Sequence, residues 1–334
     1  MFNLMCNKNQ DRPSTPPVLL LTFNRPNLTA QVLDAVREAR PRRLFVASDG
    51  PRPNAPSDEA SVQSTRALID EAVNWPCEVL TRYLDINQGC RAGVASAVTW
   101  FFEHVEEGII LEDDCVPHLD FFCYCRALLD RYRYESQVMA IAGDNSAALE
   151  ASEQGASYAF VSQPLVWGWA TWRRAWEHYD DSLEGWRSIR SDRSAQRRIW
   201  PDPVERRWQS RNLDRLLFSN RPDSWAYRWA FSVASRGGLC AVPAVNLVRN
   251  VGFGPEGTHT RDPKNSRANR PTSSILPLIH PNRIKRDEQA ERQIFDRVHR
   301  GSVRRNLFHR TRAVVFGAAS LIAEPFRRRS MVGE

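Results

Sequence analysis

Three consecutive carboxylates follow a short apolar run near residue 110. Residues 108–115 read Gly-Ile-Ile-Leu-Glu-Asp-Asp-Cys, so Glu112, Asp113 and Asp114 end a run typical of a buried strand. Ligands of open parallel sheets bind beyond the carboxyl ends of the strands. Oxygen-rich ligation suits Mg²⁺ or Mn²⁺, which commonly bridge protein carboxylates to substrate phosphates. The triplet therefore predicts a divalent metal site, the alternative being the acidic first turn of a following helix.

Other polar residues follow the neighbouring strands that the sequence predicts. The first strand ends at Thr22–Arg25, the second ends at Asp49-Gly50, and Asn87-x-Gly89 precedes a helix whose N-terminus would face a ligand. A parallel sheet gathers such ends into one crevice, where Asp49 would offer an acceptor to a base or ribose. The candidate binding residues in this crevice are Thr22, Phe23, Asn24, Arg25, Asp49, Asn87, Gly89, Glu112 and Asp113.

The glycine-rich phosphate loops of common nucleotide-binding folds are absent from the sequence. Neither Gly-x₄-Gly-Lys-Ser/Thr nor Gly-x-Gly-x-x-Gly after the first strand occurs. If a nucleotide binds in the crevice, we expect a metal ion and side chains to hold its phosphates.

Predicted strands and helices alternate from residue 18 to 114, which favours βαβ units, an α/β fold and a mostly parallel central sheet flanked by helices. The first strands are expected at 18–23, 44–47 and 77–83, and the helices between them at 28–39, 57–74 (with Ser57 as N-cap) and 92–106. A helix at 119–134 and a strand at 138–142 continue the pattern. Nine of the 11 tryptophans then lie between Trp167 and Trp229, and most are expected in the core.

Composition and charge limit the classes of protein that the chain can represent. The chain has 334 residues, 42% of them hydrophobic, with no apolar stretch long enough to span a bilayer and no apolar signal core in residues 1–17. The seven cysteines lack paired zinc-ligand spacing, so we expect a reduced, cytoplasmic protein. Residues 281–334 carry 13 Lys and Arg against 6 Asp and Glu, which accounts for the whole formal charge of +7. The balanced remainder argues against nucleic acid as a partner.

The basic excess lies in and just before a tail whose apolar residues recur at helical spacing. Leu307, Val314 and Leu321 belong to this pattern, and Arg327-Arg328-Arg329 follows it. One interpretation is a terminal helix docked on its own domain. The other is an interfacial helix on an anionic membrane surface, which would place the protein at the inner face of the membrane.

The motifs together resemble those of a known enzyme family. Residues 18–26, Asp49-Gly50-Pro51, Asn87-x-Gly89 and the Glu-Asp-Asp triplet resemble the nucleotide-sugar half of GT-A glycosyltransferases, in which the triplet is similar to the DXD motif. The closer resemblance is to bacterial family 2-like glycosyltransferases, which are distantly similar to N-acetylglucosaminyltransferase I. The similarity continues through residues 166–172, 225–229 and 246–260.

The resemblance implies a metal-dependent, inverting transferase in bacterial surface glycan assembly. Its donor would be a nucleoside diphosphate sugar, with a UDP-sugar favoured, and it would move a hexose or N-acetylhexosamine to a glycan or lipid-linked acceptor. Carried over by motif, Asp114 would ligate Mn²⁺ or Mg²⁺, Asp113 and Glu112 would lie beside the ribose and sugar, and Asp49 would contact the base. His259, between two threonines after three glycines, would complete the metal or pyrophosphate site, or else serve a structural role.

One residue departs from the family pattern and leaves the general base open. The family motif reads Trp-Asp-Tyr-x-Trp where this chain has Trp225-Ala226-Tyr227-Arg228-Trp229, and Ala226 cannot take a proton. Asp223, Asp180 and Asp181 are the candidate catalytic bases. Two alternatives stay open: a degenerate nucleotide-sugar-binding protein that lacks the base, and a nucleotidyltransferase, which Asn24-Arg25-Pro26 disfavours because such enzymes usually carry a glycine-rich basic loop there.

The sequence also predicts how the chain is organised. We expect an N-terminal tail at 1–17, a nucleotide-sugar-binding half at 18–150 and an acceptor-side half of the same domain at 151–260. A linker and helix at 261–300 and the basic amphipathic tail at 301–334 would follow.

Overall fold

A computed structural model describes residues 14–145, 155–254, 267–301 and 303–304. Its first elements are β1 (Val18–Thr22), α1 (Pro26–Ala39), β2 (Arg43–Ser48), α2 (Pro56–Ala72), β3 (Glu78–Tyr83), α3 (Gly89–His104) and β4 (Glu107–Glu112). They are followed by β5 (Cys115–Pro117), α4 (Leu119–Arg131), β6 (Val138–Ala142), β7 (Tyr158–Val161) and β8 (Trp169–Trp172). The last are α5 (Arg173–Trp176), α6 (Glu184–Ile189), α7 (Arg193–Ile199), α8 (Pro203–Ser219), α9 (Ala226–Ser235), β9 (Leu239–Pro243), β10 (Val248–Asn250) and α10 (Glu288–Val298).

The predicted α/β class is confirmed, with a large central sheet flanked by helices. The sheet has the strand order β3-β2-β1-β4-β8-β6-β9-β7. It is mixed rather than mostly parallel as expected, because β8 pairs antiparallel with both β4 and β6, and β7 pairs antiparallel with β9. The strands that carry the acidic triplet and its neighbours, β1 to β4, do run parallel where they pair.

Two hydrophobic clusters lie on opposite faces of the sheet. Along β1, Val18 and Leu20 face the cluster formed with α1, α2 and α4, whereas Leu19 and Leu21 face the cluster formed with α3, α9 and α10. Burial on both faces explains why this strand reads as a continuous apolar run. The sheet lies between two helical layers, and the parallel pairing of β1 with β2 and β4 brings the polar residues that end these three strands to one edge.

Most of the tryptophans in the 167–229 segment are core residues, as expected. Seven of the nine are buried: Trp169, Trp172, Trp176, Trp186, Trp200, Trp225 and Trp229. Trp167 and Trp208 are the two that remain partly exposed. In the part of the chain that the structure describes, no helix is long and apolar enough to cross a membrane.

Candidate active site

A cleft of about 850 Å³ opens at the carboxyl ends of β1, β2 and β4. Eleven of the candidate residues from the sequence line it: Thr22, Phe23, Asn24, Arg25, Asp49, Asn87, Gly89, Glu112, Asp113, Asp114 and Asp223. The parallel strands β1, β2 and β4 bring the residues at their carboxyl ends to one edge. The turn into α3 contributes Asn87 and Gly89, and the segment before α9 contributes Asp223. His259 lies outside the described residues.

Asp49 joins the end of β2 to the start of α3. Its Oδ1 accepts hydrogen bonds from the backbone N–H groups of Gly50 (2.9 Å) and Gln88 (2.8 Å), and its Oδ2 accepts one from Gly89 N (3.1 Å). Burial raises the pKa of Asp49, and these donors partly offset that rise. Since a carboxylate offers about four acceptor positions, Asp49 has room for one further donor from a ligand.

Arg25 provides the positive charge that the acidic triplet requires. Its Nε donates to Asp113 Oδ2 at 3.2 Å, its Nη2 donates to Asp113 Oδ1, and its Nη1 donates to Asp114 Oδ2 at 3.0 Å. Burial alone would lower the pKa of Arg25, but the carboxylates raise it overall. Phe23 N donates to Asp113 as well, at 3.4 Å. Asp113 is therefore engaged on both oxygens.

Glu112 and Asp114 keep more freedom than Asp113. Burial, followed by the charges of Asp114 and Asp113, raises the pKa of Glu112 to about 8. Asp114 receives one bond from Arg25 and a weak one from Cys115 Sγ (3.4 Å), which leaves acceptor positions open on a side chain that is 13% exposed.

Gly252 allows Asp114 to reach the cleft. Asp114 O accepts a hydrogen bond from Val251 N at 2.8 Å, and the strand β10 just before it pairs with β5. A Cβ on Gly252 would collide with the Asp114 carboxylate. The close approach of the backbone is therefore a requirement for the observed position of this carboxylate.

The carboxylates fit a divalent cation that is shared with a ligand, but do not form a metal site by themselves. Within the described ranges, no group of three His, Cys, Asp or Glu side chains is placed to hold a metal ion. Mg²⁺ in particular is usually held by one or two carboxylates together with substrate phosphates. Asp114, with its open acceptor positions, supplies that kind of ligand. Five carboxylates line the cleft against three arginines, so an anionic diphosphate would need added positive charge.

Asp223 and the two other candidate bases occupy different environments. Asp223 is exposed and lines the cleft, where its Oδ2 accepts a hydrogen bond from Arg91 N at 3.3 Å. The Asp180 carboxylate accepts hydrogen bonds from Glu184 N (3.1 Å) and Gly185 N (2.8 Å) at the start of α6. Asp181 is ion-paired with Arg91 at 2.5 Å. Neither Asp180 nor Asp181 is among the residues of the cleft wall.

Ala226, where the family motif has an aspartate, begins α9 and packs against the cluster on the α3 side of the sheet. It does not belong to the described wall of the cleft. The carboxylate nearest to it along the chain that does face the cleft is Asp223.

The structure adds cleft residues to which the sequence had assigned no role. They include Arg52, Arg82, Cys90, Trp167, Asn250, Gly252 and Phe253. Arg52 pairs with the buried Asp58 at 2.6 Å, and Asp58 Oδ1 also accepts a hydrogen bond from Asn24 Nδ2 at 2.8 Å. Trp167 and Phe253 meet edge to face with ring centroids 5.5 Å apart. Arg82 is the penultimate residue of β3, so the rule that strand ends meet at one edge would have identified it.

Thr22 carries a buried polar atom without a partner among the described residues. Its side chain is 6% exposed, and Oγ1 has no hydrogen-bond partner there. An unsatisfied hydroxyl in a buried position costs roughly 1–3 kcal/mol. Because Thr22 lines the cleft, a bound ligand is a natural source of that partner.

Comparisons with known proteins leave the chain without an assigned family. No protein-family model matches it, and no curated protein matches it. Among solved structures, one match is UDP-glucose pyrophosphorylase complexed with UDP-glucose, at 12% sequence identity and a TM-score of 0.25, over 45% of this chain and 63% of that chain. The chain thus spans less than two thirds of that protein, and a similarity at this level defines neither a family nor a reaction.

Proposed function

We propose that this protein is a glycosyltransferase that moves a sugar from a nucleoside diphosphate sugar to an acceptor hydroxyl. The observation that carries the proposal is the convergence of Thr22–Arg25, Asp49, Gly89, Glu112–Asp114 and Asp223 on one cleft. The cleft volume of about 850 Å³ falls in the range of roughly 300–1,000 Å³ that small-molecule sites occupy. The resemblance of the sequence motifs to GT-A glycosyltransferases supports the same reaction.

The strand order suggests how the donor lies along the sheet edge. In this proposal the nucleoside binds at the β2 end, where Asp49 has a free acceptor position and Leu21, Ala47 and Ala97 provide a small apolar wall. The diphosphate lies at the ends of β1 and β4, beside the paired side chains of Arg25 and Asp114. The transferred sugar then lies beside Glu112.

In the proposed mechanism, Asp223 acts as general base. Its carboxylate takes the proton of the acceptor hydroxyl while the acceptor oxygen attacks the anomeric carbon. The bond from that carbon to the phosphate oxygen breaks, the nucleoside diphosphate leaves, and the configuration at the anomeric carbon inverts. Asp114, with His259 as a further ligand predicted from the sequence, would hold a divalent cation, Mg²⁺ or Mn²⁺, and such an ion would supply Lewis-acid chemistry for the departure of the diphosphate.

Nucleotidyl transfer is the second candidate reaction for an acidic site on such a sheet. The connection between β1 and α1 argues against it, because Phe23-Asn24-Arg25 is its whole length and Pro26 already occupies the first helical turn. Three residues without glycine leave no backbone loop to surround a triphosphate. The exposed carboxylate of Asp223 likewise favours an enzyme over a binding protein that has lost its base.

Product analysis separates these functions. The protein would be incubated with UDP-, GDP-, CDP- and dTDP-sugars and Mn²⁺, with and without pyrophosphate. We expect slow release of the nucleoside diphosphate from one donor, through transfer to water, and faster release when an acceptor glycan is added. Formation of the nucleoside triphosphate in the presence of pyrophosphate would instead establish nucleotidyl transfer. Binding of a donor without either product would establish a binding protein.

A further inference from the structure

Arg228 is a buried arginine that contacts both ends of residues 220–224, the segment before α9. The side chain is 3% exposed. Its Nη2 donates to Asn220 Oδ1 at 2.8 Å and its Nη1 donates to Ser224 O at 2.9 Å. Its Nε donates to Asp181 O at 2.9 Å. The rigid, planar guanidinium therefore fixes three points of the chain relative to one another.

Arg91, at the start of α3, contacts two of the same residues, Asn220 and Asp181. Its Nη1 donates to Asn220 Oδ1 at 3.2 Å, and its Nη2 lies 2.5 Å from Asp181 Oδ2. Its backbone N–H donates to Asp223 Oδ2 at 3.3 Å. The two arginines thus connect α9, the 220–224 segment and the N-terminus of α3 into one network.

Asp223 lies between the two anchored ends of this segment. Asn220 and Ser224 are held by Arg228, so only three residues separate the fixed points. A segment that short permits little movement of the carboxylate between them. Proton transfer depends on such restriction, because a general base must stay within hydrogen-bond reach of the proton it takes. Displacements of about 1 Å lower enzymatic rates by around 100-fold.

We propose that Arg228 is the positioning residue for Asp223, which keeps the Asp223 carboxylate at the N-terminus of α3 and directed toward the cleft. Arg228 does not line the cleft, so it acts through the segment rather than on the substrate. This inference rests on the proposed function as far as catalysis is concerned. The positioning itself is a geometric property that is measurable without turnover.

The test compares Arg228→Lys with Arg174→Lys. Arg174 is a matched control, because its guanidinium also makes three hydrogen bonds, in this case to the backbone carbonyls of Arg133, Tyr132 and Val138, away from the cleft. Each variant loses a guanidinium group that makes three hydrogen bonds. We expect Arg228→Lys to lower kcat at least 10-fold with KM for the donor changed less than twofold, and Arg174→Lys to leave kcat within twofold.

A double-mutant cycle shows whether Arg228 acts through Asp223. In an Asp223→Asn background, Arg228→Lys should lower kcat by less than twofold, because the base is already absent. An equal loss in both backgrounds, or no loss in either, overturns the positioning role. If Arg228→Lys does not fold, Asn220→Gly removes the shared side-chain acceptor and suits the left-handed backbone at that residue (φ 48°), and the same results are expected.

Amide hydrogen exchange at Arg91 separates failure of this inference from failure of the proposed function. The Arg91 N–H donates to Asp223, so its exchange reports the position of the carboxylate independently of turnover. We expect at least 10-fold faster exchange in Arg228→Lys and less than twofold change in Arg174→Lys. Faster exchange in a protein that turns over no nucleotide sugar would support positioning and reject the transferase. Unchanged exchange in folded Arg228→Lys would reject positioning.

Discussion

The carboxylate of Asp223 packs directly against Gly89: a Cβ on that glycine would lie 2.9 Å from Asp223 Oδ2. The two residues are far apart in the sequence, and their contact joins the proposed base to the first residue of α3. Gly89 N also donates to Asp49, so this one residue touches both ends of the proposed reaction site.

Gly89→Ala should therefore impair catalysis more than stability. Its backbone has φ +80°, and a left-handed conformation costs an L-residue roughly 1–2 kcal/mol. Gly237, with φ +66° and nothing within 4 Å of an added Cβ, is the matched control. We expect similar losses of unfolding free energy in both variants, but at least a 10-fold fall in kcat in Gly89→Ala alone. Equal kcat values would show that the Asp223 contact has no catalytic consequence.

Gly252→Ala should weaken metal binding that depends on a nucleotide. The added Cβ would displace the Asp114 carboxylate, whereas a Cβ on Gly254 meets nothing within 4 Å. Because the described residues hold no three-ligand metal group, we expect Mn²⁺ to bind tightly only when UDP is present. Electron paramagnetic resonance of Mn²⁺ measures this directly. We expect Gly252→Ala and Asp114→Asn to lose the UDP-dependent binding and Gly254→Ala to retain it; retention by all three would remove Asp114 from the metal site.

Glu205 should make the protein less stable as the pH rises from about 4 to 7. Burial, followed by the charge of Glu291, raises its pKa to about 7. Glu205 therefore holds its proton to higher pH in the folded state than in the unfolded chain, and its contribution to the free energy of unfolding falls as the pH rises between these values. Glu205→Gln removes this effect. Urea unfolding should show the variant more stable than wild type by up to about 3 kcal/mol at pH 8 and little changed at pH 4.

Glu291→Gln is the control for that measurement. Glu291 accepts a hydrogen bond from Ser162 N at 2.5 Å and is ion-paired with Arg286. Its loss leaves buried groups without a charged partner, so we expect destabilisation at pH 8 by about 1–3 kcal/mol. If wild type and Glu205→Gln had the same free energy of unfolding at pH 4 and also at pH 8, the raised pKa of Glu205 would be contradicted.

Residues 305–334 of the basic tail lie outside the described residues. We still predict that this tail binds anionic membranes. Six arginines follow Arg304, and each basic residue near an anionic surface contributes roughly 1 kcal/mol. Truncation after Arg304 keeps the contact of Arg304 Nε with His299 O at 2.7 Å. At low salt, the full chain should sediment together with phosphatidylserine-containing vesicles, and the truncated chain should stay in the supernatant. Phosphatidylcholine vesicles are the control, and indifference of the full chain to both would reject the membrane interpretation.

The strand ends could be predicted because β1, β2 and β4 are buried on both faces and give continuous apolar runs. Each run stops where polar residues begin, at Thr22, Ser48 and Glu112. The parallel pairing of these strands then brings the cleft residues to one edge. This part of the architecture follows from the hydrophobic pattern alone.

The direction of β8 was not evident from the sequence. The four residues of β8, two of them tryptophan, show no periodicity that indicates an antiparallel strand between β4 and β6. The sequence therefore predicted a sheet with more parallel pairing than the structure has. The predicted N-cap at Ser57 was also wrong. Helix α2 begins at Pro56, after Ala55, whose side chain cannot cap. Proline fixes the helical φ at that first position.

The roles of individual side chains depended on long-range geometry. Arg25 and Asp113 are 88 residues apart, and no local pattern indicates that they pair. Asp180 and Asp181 are adjacent, yet one binds the N-terminus of α6 and the other binds Arg91. The sequence could therefore propose the three candidate bases but could not distinguish between them.

Binding of a nucleoside diphosphate to the cleft tests the central claim most directly. Thermal unfolding of the wild-type protein and of Gly252→Ala would be followed with UDP, GDP, CDP and dTDP, each with Mn²⁺. A ligand at 100 times its Kd stabilises the folded state by about 2.7 kcal/mol. We expect one of these nucleotides at millimolar concentration to raise the Tm of the wild type by several degrees and that of Gly252→Ala much less. Absence of a shift with every nucleotide would contradict the assignment of the cleft as a nucleotide-sugar site.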